Sequence, residues 1–190
     1  MQFARAFITG TAGFVTFKQR HHANPRFAGT NMVATLFAAE NIMSGESDLI
    51  ISYGDIVYEP DVLRKLMTCD APVALVVDLK WHRYWAARMD DPLSDAETLI
   101  LTDQNRIIEL GKKPKTLADV QGQYTGLIKF RADHVYKLTE IWHGLDPAGP
   151  YDGKDRDNMF MTSFLQHLID SGWDARAVFI ANEGIFWIWT

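Results

Sequence analysis

One aspartate stands at a position where a carboxylate could do chemistry. The run Leu49–Ser52 is short, apolar and rich in isoleucine, which predicts a strand buried on both faces. Gly54 permits a tight turn, and Asp55 then lies just past the carboxyl end of the strand, where ligands bind in open α/β sheets. A carboxylate there can hold a hard cation such as Mg²⁺, which in turn binds phosphates. The alternative, that Asp55 only shapes the turn, fits the spacing equally well.

A cationic segment later in the chain supplies a second candidate. Gly111–Lys115 carries three lysines around a glycine and a proline in an otherwise acidic protein. A lysine such as Lys112, held at a strand end, can bind phosphate as a point charge, and the alternative is a solvated turn. Downstream, Gly126 interrupts a predicted strand over Tyr124–Phe130, and an internal glycine often marks close approach by a ligand or another backbone.

Aromatic and amide side chains mark two further places. Trp81, Tyr84 and Trp85 occur together and could form an aromatic cage for a quaternary ammonium group such as choline, or could simply pack. Thr30 or Asn31 suits the N-cap of a predicted helix over residues 32–43. The free N–H groups at that helix end suit an anion, although most such ends bind only water or their cap.

The bulk composition limits the classes of function. With 190 residues and 47% apolar content, the sequence predicts one domain over residues 1–190. A net charge of −5 argues against a nucleic-acid surface, and no apolar run reaches membrane-spanning length. The single cysteine, Cys69, cannot form an internal disulfide, which is typical of a reducing compartment, so we expect a cytoplasmic protein without a signal peptide. No G-x-S-x-G, C-x-x-C or H-E-x-x-H motif is present, which disfavours nucleophilic hydrolase and zinc chemistry.

The elements that must position these residues alternate between strands and helices. Strand, helix and strand follow one another from Leu49 to Leu79, a βαβ pattern whose two strands should run parallel. The other predicted strands are 4–9, 14–17, 98–102, 106–110, 124–130, 175–180 and 185–189. The other predicted helices are 32–43, 81–91, 132–142 and 159–171.

Five segments resemble, in the same order, motifs of small nucleotidyltransferases with a GT-A-like Rossmannoid fold. They are Asn24–Asn31, Ile51–Asp55, Ile108–Pro114, Gly122–Leu127 and Met159–Thr162. The family includes sugar-phosphate nucleotidyltransferases and CTP:phosphocholine cytidylyltransferases. The resemblance implies an α/β fold with a mixed, mostly parallel Rossmann-like sheet, helices on both faces, and the first strand missing.

The resemblance also implies an activity. Members join a nucleoside triphosphate, CTP or a similar one, to a small phosphorylated acceptor and release pyrophosphate, with Mg²⁺ bridging the phosphates and two aspartates. The reaction is an in-line displacement at the α-phosphorus, so positioning and charge stabilisation supply the catalysis.

The motifs transfer roles to particular residues. Asp55 would be the first metal aspartate, and Lys112 would face the acceptor or its phosphate. Thr30, Asn31 and Gly54 would lie near the nucleotide. Tyr124 and Gly126 would line the acceptor side, where Trp81 and Trp85 are further candidates.

Two departures from the family pattern leave a second hypothesis open. The glycine-rich loop that wraps the triphosphate has no match, and Trp187 and Trp189 align with the Glu and Asp of the closing metal motif. An indole cannot coordinate Mg²⁺. The chain is therefore either an active nucleotidyltransferase or an inactive relative that serves as a binding or assembly module.

The absent first strand would also leave an apolar sheet edge exposed. The tail over residues 184–189 is apolar and β-prone, so we expect this tail or a second chain to cover the edge, and we expect a homo-oligomer.

Overall fold

A computed structural model describes residues 3–4, 6–8, 22–87, 89–181 and 185–187. The strands are β1 (Phe3–Ala4), β2 (Ala6–Ile8), β3 (His22–Ala23), β4 (Leu49–Ser52), β5 (Ile56–Tyr58), β6 (Val73–Asp78), β7 (Leu99–Leu101), β8 (Ile107–Leu110), β9 (Gln123–Phe130), β10 (Ala175–Ile180) and β11 (Ile185–Trp187). The α-helices are α1 (Met32–Phe37), α2 (Pro60–Thr68), α3 (Trp81–Ala86), α4 (Ala132–Gly144) and α5 (Met161–Asp170). Short 3-10 turns occupy Phe27–Gly29, Glu40–Ile42, Pro92–Ser94, Asp103–Asn105, Leu117–Asp119 and Arg156–Asn158.

A five-stranded mixed sheet in the order β10-β6-β9-β4-β2 forms the centre of the fold. β10 pairs parallel to β6, whereas β9 runs antiparallel to both β6 and β4. β4 and β6 therefore point in the same direction, as the βαβ pattern predicts, but β9 lies between them. The expected mixed α/β architecture is confirmed, and β4, β6 and β10 share one orientation.

Helices cover both faces of this sheet because alternate residues of its strands point to opposite sides. On one face, Leu75 of β6 joins a cluster with Val33 of α1, Leu138 of α4 and Phe164 of α5. On the other face, the neighbouring Val76 joins the cluster of α2, whose Leu66 is fully buried. Strands buried on both faces explain why their sequences read as continuous apolar runs.

The first predicted helix is shorter than expected. α1 ends at Phe37, and the chain continues as the 3-10 turn Glu40–Ile42. Gly45 then adopts a φ of +75° as the chain turns towards β4, a left-handed conformation that ends any helical path. The strand predicted over residues 14–17 lies outside the described residues.

The sheet edge at β4 is paired differently from our expectation. β2 runs antiparallel to β4, with Phe7 opposite Ile50, and supplies the backbone partners of that edge. The tail strand β11 instead pairs antiparallel with β5. Of the tail and a second chain, which we expected to cover an exposed sheet edge, the tail pairs outside the central sheet, and β2 covers the edge of β4. Among the described residues, no helix combines the length and apolar character needed to cross a bilayer.

Candidate active site

A cavity of about 280 Å³ opens where the central strands end. The carboxyl ends of β4 and β6 meet the amino end of β9 here, since Asp78 of β6 lies opposite Gln123 and Ser52 of β4 lies opposite Leu127. The lining residues are Met32, Tyr53, Asp55, Trp85, Asp95, Glu97, Gln123, Tyr124, Thr125, Gly126, Phe160, Met161 and Thr162. The cavity thus occupies the crevice where α/β sheets bind ligands.

Asp55 lies on this cavity as its position in the sequence predicts. It is exposed in the turn that connects β4 to β5, so its carboxylate is accessible from solvent. Among the described residues, no three side chains of His, Cys, Asp or Glu come together as a metal-binding group. Mg²⁺ commonly binds through one or two carboxylates plus substrate phosphates and keeps several waters. The exposed carboxylate of Asp55 on this cavity fits that mode of binding.

Gly126 lies at an irregularity in β9, but the group that approaches it is a side chain. Its φ is +85°, and a Cβ at this position would lie 2.5 Å from ring carbons of Tyr53. The Tyr53 N–H also donates to the Gly126 carbonyl at 3.0 Å. Glycine here therefore allows the Tyr53 ring to lie against β9 and form part of the cavity wall.

Tyr53 and Tyr124 form an aromatic corner beside Gly126. Their rings are nearly perpendicular, with centroids 5.8 Å apart. Burial raises the pKa of both phenols above the ordinary value, and nearby Glu97 adds to the shift. Both hydroxyls therefore remain protonated at neutral pH.

The cavity also contains a carboxylate that the sequence did not single out. Glu97 is partly buried, and the Thr162 hydroxyl donates to its Oε1 at 3.5 Å. Burial raises the pKa of Glu97, and the charges of Asp95 and Asp152 raise it further. Glu97 precedes β7 of a hairpin instead of following a parallel strand, so the usual rule for locating α/β sites does not point to it.

Lys112 lies next to the cavity but not on its wall. Its backbone N–H donates to Thr98 Oγ1 at 3.1 Å. Thr98 follows Glu97 in the sequence, so this hydrogen bond holds the Lys112 backbone close to Glu97. Its ammonium donates to Glu109 Oε2 at 2.7 Å, and this contact raises the pKa of Lys112. The side chain is 55% exposed, so it can leave Glu109 without disturbing the core.

Thr30 and Asn31 have structural partners that account for their residue types. The Thr30 hydroxyl accepts from Asn24 at 2.8 Å and donates to the Arg26 carbonyl at 3.0 Å. Asn31 Oδ1 accepts from the Met32 N–H at 2.8 Å, as an N-cap does. Neither residue lines the cavity, whereas Met32 does.

The two tryptophans differ in position. Trp81 is 4% exposed and packs edge-on against Trp85, with ring centroids 6.1 Å apart, in a cluster with Ala96 and Val120. Trp85 belongs to the same cluster and also borders the cavity. The Tyr84 side chain lies outside the described residues. Packing thus explains Trp81, and Trp85 is the tryptophan placed to meet a ligand.

Another cavity, of about 440 Å³, lies at the opposite end of the sheet. It is lined by residues before β6 and after β9, including Arg131, and by Arg176. Both guanidinium groups are already paired, Arg131 with Asp133 at 2.7 Å and Arg176 with Asp174 at 2.8 Å. The smaller cavity is the better candidate because, among the described residues, no arginine forms an ion pair with its carboxylates.

Comparison with known proteins identifies similar chains. No protein-family model matches the sequence. The chain is 43% identical over 159 residues to a CTP:phosphoglutamine cytidylyltransferase of Campylobacter jejuni, a match that covers 82% of this chain and 62% of that protein. The chain thus spans less than two thirds of the relative's length.

Two solved structures share the fold. The inositol-1-phosphate CTP transferase from T. maritima matches with a TM-score of 0.61 and 16% identity, over 86% of this chain and 56% of that one. A candidate glucose-1-phosphate thymidylyltransferase from Bacillus anthracis matches with a TM-score of 0.51 and 16% identity, over 82% and 54%. The resemblance to nucleotidyltransferases and their mixed α/β fold is confirmed.

Proposed function

We propose that the chain transfers CMP from CTP to a small phosphorylated acceptor and releases pyrophosphate. The 43% identity to a cytidylyltransferase carries this proposal. The position of Asp55 on a cavity at the carboxyl ends of β4 and β6 supports it. Phosphorylated glutamine, the acceptor named for the relative, is the first candidate acceptor.

The proposed chemistry is an in-line displacement. An acceptor phosphate oxygen forms a bond to the α-phosphorus of CTP while the bond to the pyrophosphate oxygen breaks, and no proton transfer is required. The side chains therefore act by holding the two phosphates in line and by balancing charge. Asp55 would hold Mg²⁺, which when bound supplies charge stabilisation to the phosphates. Lys112, once released from Glu109, would add a second positive charge beside the acceptor phosphate.

The remaining residues would orient the two substrates. We assign Thr30, Asn31 and Gly54 to the nucleotide side. The hydrogen bonds of Thr30 and Asn31 stabilise the chain at the start of α1. We assign Tyr124, Gly126 and Trp85 to the acceptor side, because they line the cavity. Trp81 would act by packing behind Trp85.

A second candidate function is that of an inactive relative that binds ligands or partners. Trp187 and Trp189 favour it, because they stand where the family pattern places the Glu and Asp of the closing metal motif. Such a module would keep the cavity but would turn over no substrate.

A pyrophosphate-release assay separates these two functions. The purified chain is incubated with Mg²⁺, each nucleoside triphosphate in turn, and a panel of phosphorylated sugars, alcohols and amino compounds. Release with CTP and one class of acceptor is the expected result. No release with any pair, in a chain that still binds an acceptor, would replace the transferase with the inactive module.

We also propose that the protein self-associates. Val57 on β5 is 50% exposed, and the apolar strand β11 pairs beside it. An exposed apolar side chain such as Val57 favours contact with a second copy.

A further inference from the structure

We propose that the cavity of about 440 Å³, at the end of the sheet opposite the candidate active site, binds a small organic phosphate between Arg131 and Arg176. This site is separate from the one proposed for CMP transfer and binds its ligand whether or not the chain transfers CMP. A volume of this size is within the range of small-molecule sites in proteins, so it has room for an organic group besides the phosphate.

The strand register brings the two arginines to this cavity from different strands. Ala175 of β10 lies beside Val73 of β6, and Val73 lies beside Phe130 of β9, so these residues form one row across the sheet. Arg176 and Arg131 each follow a residue of this row, and both line the cavity. A ligand there can therefore be held from two strands at once.

The ion pair of Arg131 uses only part of its guanidinium group. Its Nε and Nη2 donate to the two carboxylate oxygens of Asp133 at 2.7 and 3.0 Å, and its Nη1 donates to the Asp70 carbonyl at 2.7 Å. A guanidinium group has five N–H donors. Two N–H groups of Arg131 therefore have no hydrogen-bond acceptor among the described residues.

Arg176 has the same pattern of hydrogen bonds. Its Nε and Nη2 donate to the Asp174 carboxylate at 2.8 and 3.0 Å, and its Nη1 donates to the Gln104 carbonyl at 2.8 Å. Two of its five N–H groups likewise lack an acceptor in the part of the chain that the structure describes. Together the two arginines offer four N–H donors, and the bidentate pairs hold both guanidinium planes in place before a ligand binds.

Solvent screens the negative charges around this cavity more than the positive ones. Both arginine side chains are less than one third exposed, and each of the neighbouring aspartates Asp70, Asp133 and Asp174 is more exposed than they are. Arg106 also draws on Asp174, with its Nε 3.8 Å from Asp174 Oδ1. Because water screens exposed charges more strongly, these carboxylates offset the guanidinium charges only in part, and the described wall favours an anion.

Donors on two sides favour a phosphate over a carboxylate. A phosphate monoester has three terminal oxygens in a tetrahedral arrangement and carries about two negative charges at neutral pH. It can therefore accept from both guanidinium groups at once. A carboxylate is planar and has two oxygens, which suit a single bidentate partner.

The rest of the wall suits a small organic group. The apolar part is formed by Ala71, Pro72 and Ala177. Gln104 and Asn105, at the tip of the β7–β8 hairpin, add amide groups, and their φ values are +65° and +61°. Left-handed conformations cost free energy in residues other than glycine and are concentrated at functional sites.

Isothermal titration calorimetry without CTP and without Mg²⁺ tests this site. Propyl phosphate is compared with pentanoate, which has a chain of similar length but ends in a carboxylate. We expect propyl phosphate to bind at least about fivefold more tightly, because it can accept from both arginines. Equal affinity for the two anions, or no binding of propyl phosphate at millimolar concentration, would overturn the proposal.

Hydrogen–deuterium exchange with propyl phosphate locates the bound ligand. We expect slower amide exchange at the hairpin tip, residues 102–106, and at the start of β10. Slower exchange confined to residues 53–55 and 95–98 would place the ligand in the smaller cavity and would also overturn the proposal.

Asn105→Asp adds a negative charge to the wall without altering either ion pair, and aspartate tolerates the left-handed conformation as asparagine does. It should weaken the binding of propyl phosphate about three- to tenfold through like-charge repulsion. Asn41→Asp is the matched control, because it makes the same change at an exposed position outside the cavity, and it should leave the affinity within about twofold. An unchanged affinity in Asn105→Asp would contradict the assignment.

Arg176→Lys keeps the positive charge but removes the planar fork, so it should abolish the preference for propyl phosphate over pentanoate. A preference that survives this change would contradict a phosphate held by Arg176. Thermal unfolding is measured for every variant, and Asn105→Asp decides the question if Arg176→Lys does not fold. Binding of propyl phosphate at this cavity in a chain that releases no pyrophosphate would retain this site and reject CMP transfer.

Discussion

Glu97 lines the candidate site, and its ionised side chain destabilises the folded state. Burial and the charges of Asp95 and Asp152 disfavour its ionised form. Replacement of this carboxylate by a neutral residue would therefore stabilise the fold. A carboxylate that is present despite such a cost is typical of a functional position.

The first prediction concerns the pH dependence of this cost. A carboxyl group whose pKa rises on folding binds its proton more tightly in the folded state, so stability falls as the pH rises above its ordinary pKa of 4.5. Glu97→Gln removes the charge, and we expect its Tm at pH 7 to exceed that of the unmodified chain by roughly 1 to 3 °C. The gain should shrink as the pH is lowered towards 4.5.

Differential scanning fluorimetry at several pH values checks this prediction. Glu140→Gln changes an exposed glutamate on α4 outside the cavity, serves as the control and should show no gain at any pH. A lower Tm for Glu97→Gln at pH 7 would show that the carboxylate stabilises the fold and would contradict the argument.

At the scale of elements, Asp48 and Lys129 connect β4 and β9 to two helices. Lys129 has 3% of its side chain exposed, and its Nζ lies 3.3 Å from Asp48 Oδ2 and donates to the Cys69 carbonyl after α2. Asp48 Oδ1 in turn accepts from the Ala132 N–H at the start of α4, at 2.8 Å. The pair is thus part of the scaffold at the end of the sheet opposite the candidate site.

The second prediction separates the two partners of this ion pair. Asp48→Ala leaves a buried ammonium without its carboxylate and should lower the free energy of unfolding by about 3 kcal/mol. Lys129→Met removes the buried charge itself and should cost about half as much. Urea denaturation gives both values, with Asp61→Ala, on the exposed face of α2, as a control near zero. A larger loss in Lys129→Met than in Asp48→Ala would contradict this assignment.

The third prediction tests the contact between Gly126 and Tyr53. Gly126→Ala adds a Cβ 2.5 Å from the Tyr53 ring at a φ of +85°, so we expect a loss of at least about 2 kcal/mol. Gly153→Ala is the matched control, because Gly153 has a φ of +78° but no atom within 4 Å of the added Cβ, and it should cost about 1 kcal/mol.

Urea denaturation of both glycine variants separates the cost of a positive φ at alanine from the cost of the contact between the added Cβ and the Tyr53 ring. Equal losses would mean that the backbone conformation alone determines the cost and that Tyr53 moves freely aside.

Local sequence was sufficient to predict the strands of the central sheet, but not β3, β5 or all of the contacts. Leu49–Ser52 was predicted to the residue because strands buried on both faces consist of apolar residues throughout. The same apolar pattern located β9, with Gly126 inside it, but the ring that Gly126 admits belongs to a different part of the chain. Asp55 was found by its place after a strand, whereas Glu97 was missed because its burial arises only when the hairpin packs against α5.

At the scale of the whole molecule, self-association is the fourth prediction. Val57 is an apolar residue that is 50% exposed on β5, so we expect the chain to form a dimer or a larger assembly at micromolar concentration. Size-exclusion chromatography with light scattering measures the mass directly. Val57→Lys should shift the mass towards the 21.6 kDa monomer, and a monomer in the unmodified chain would contradict the prediction.

The central claim is that Asp55 serves the transfer of CMP to a phosphorylated acceptor. Its most direct test is mass-spectrometric detection of the conjugate in which CDP is joined to the acceptor, after incubation with CTP, Mg²⁺ and the acceptor that binds most tightly. We predict product from the unmodified chain and from Asp61→Asn, and a loss of at least a hundredfold in Asp55→Asn, on the order expected when a catalytic charge is removed. Product formed at the same rate in Asp55→Asn, or no product in any variant, would contradict the account.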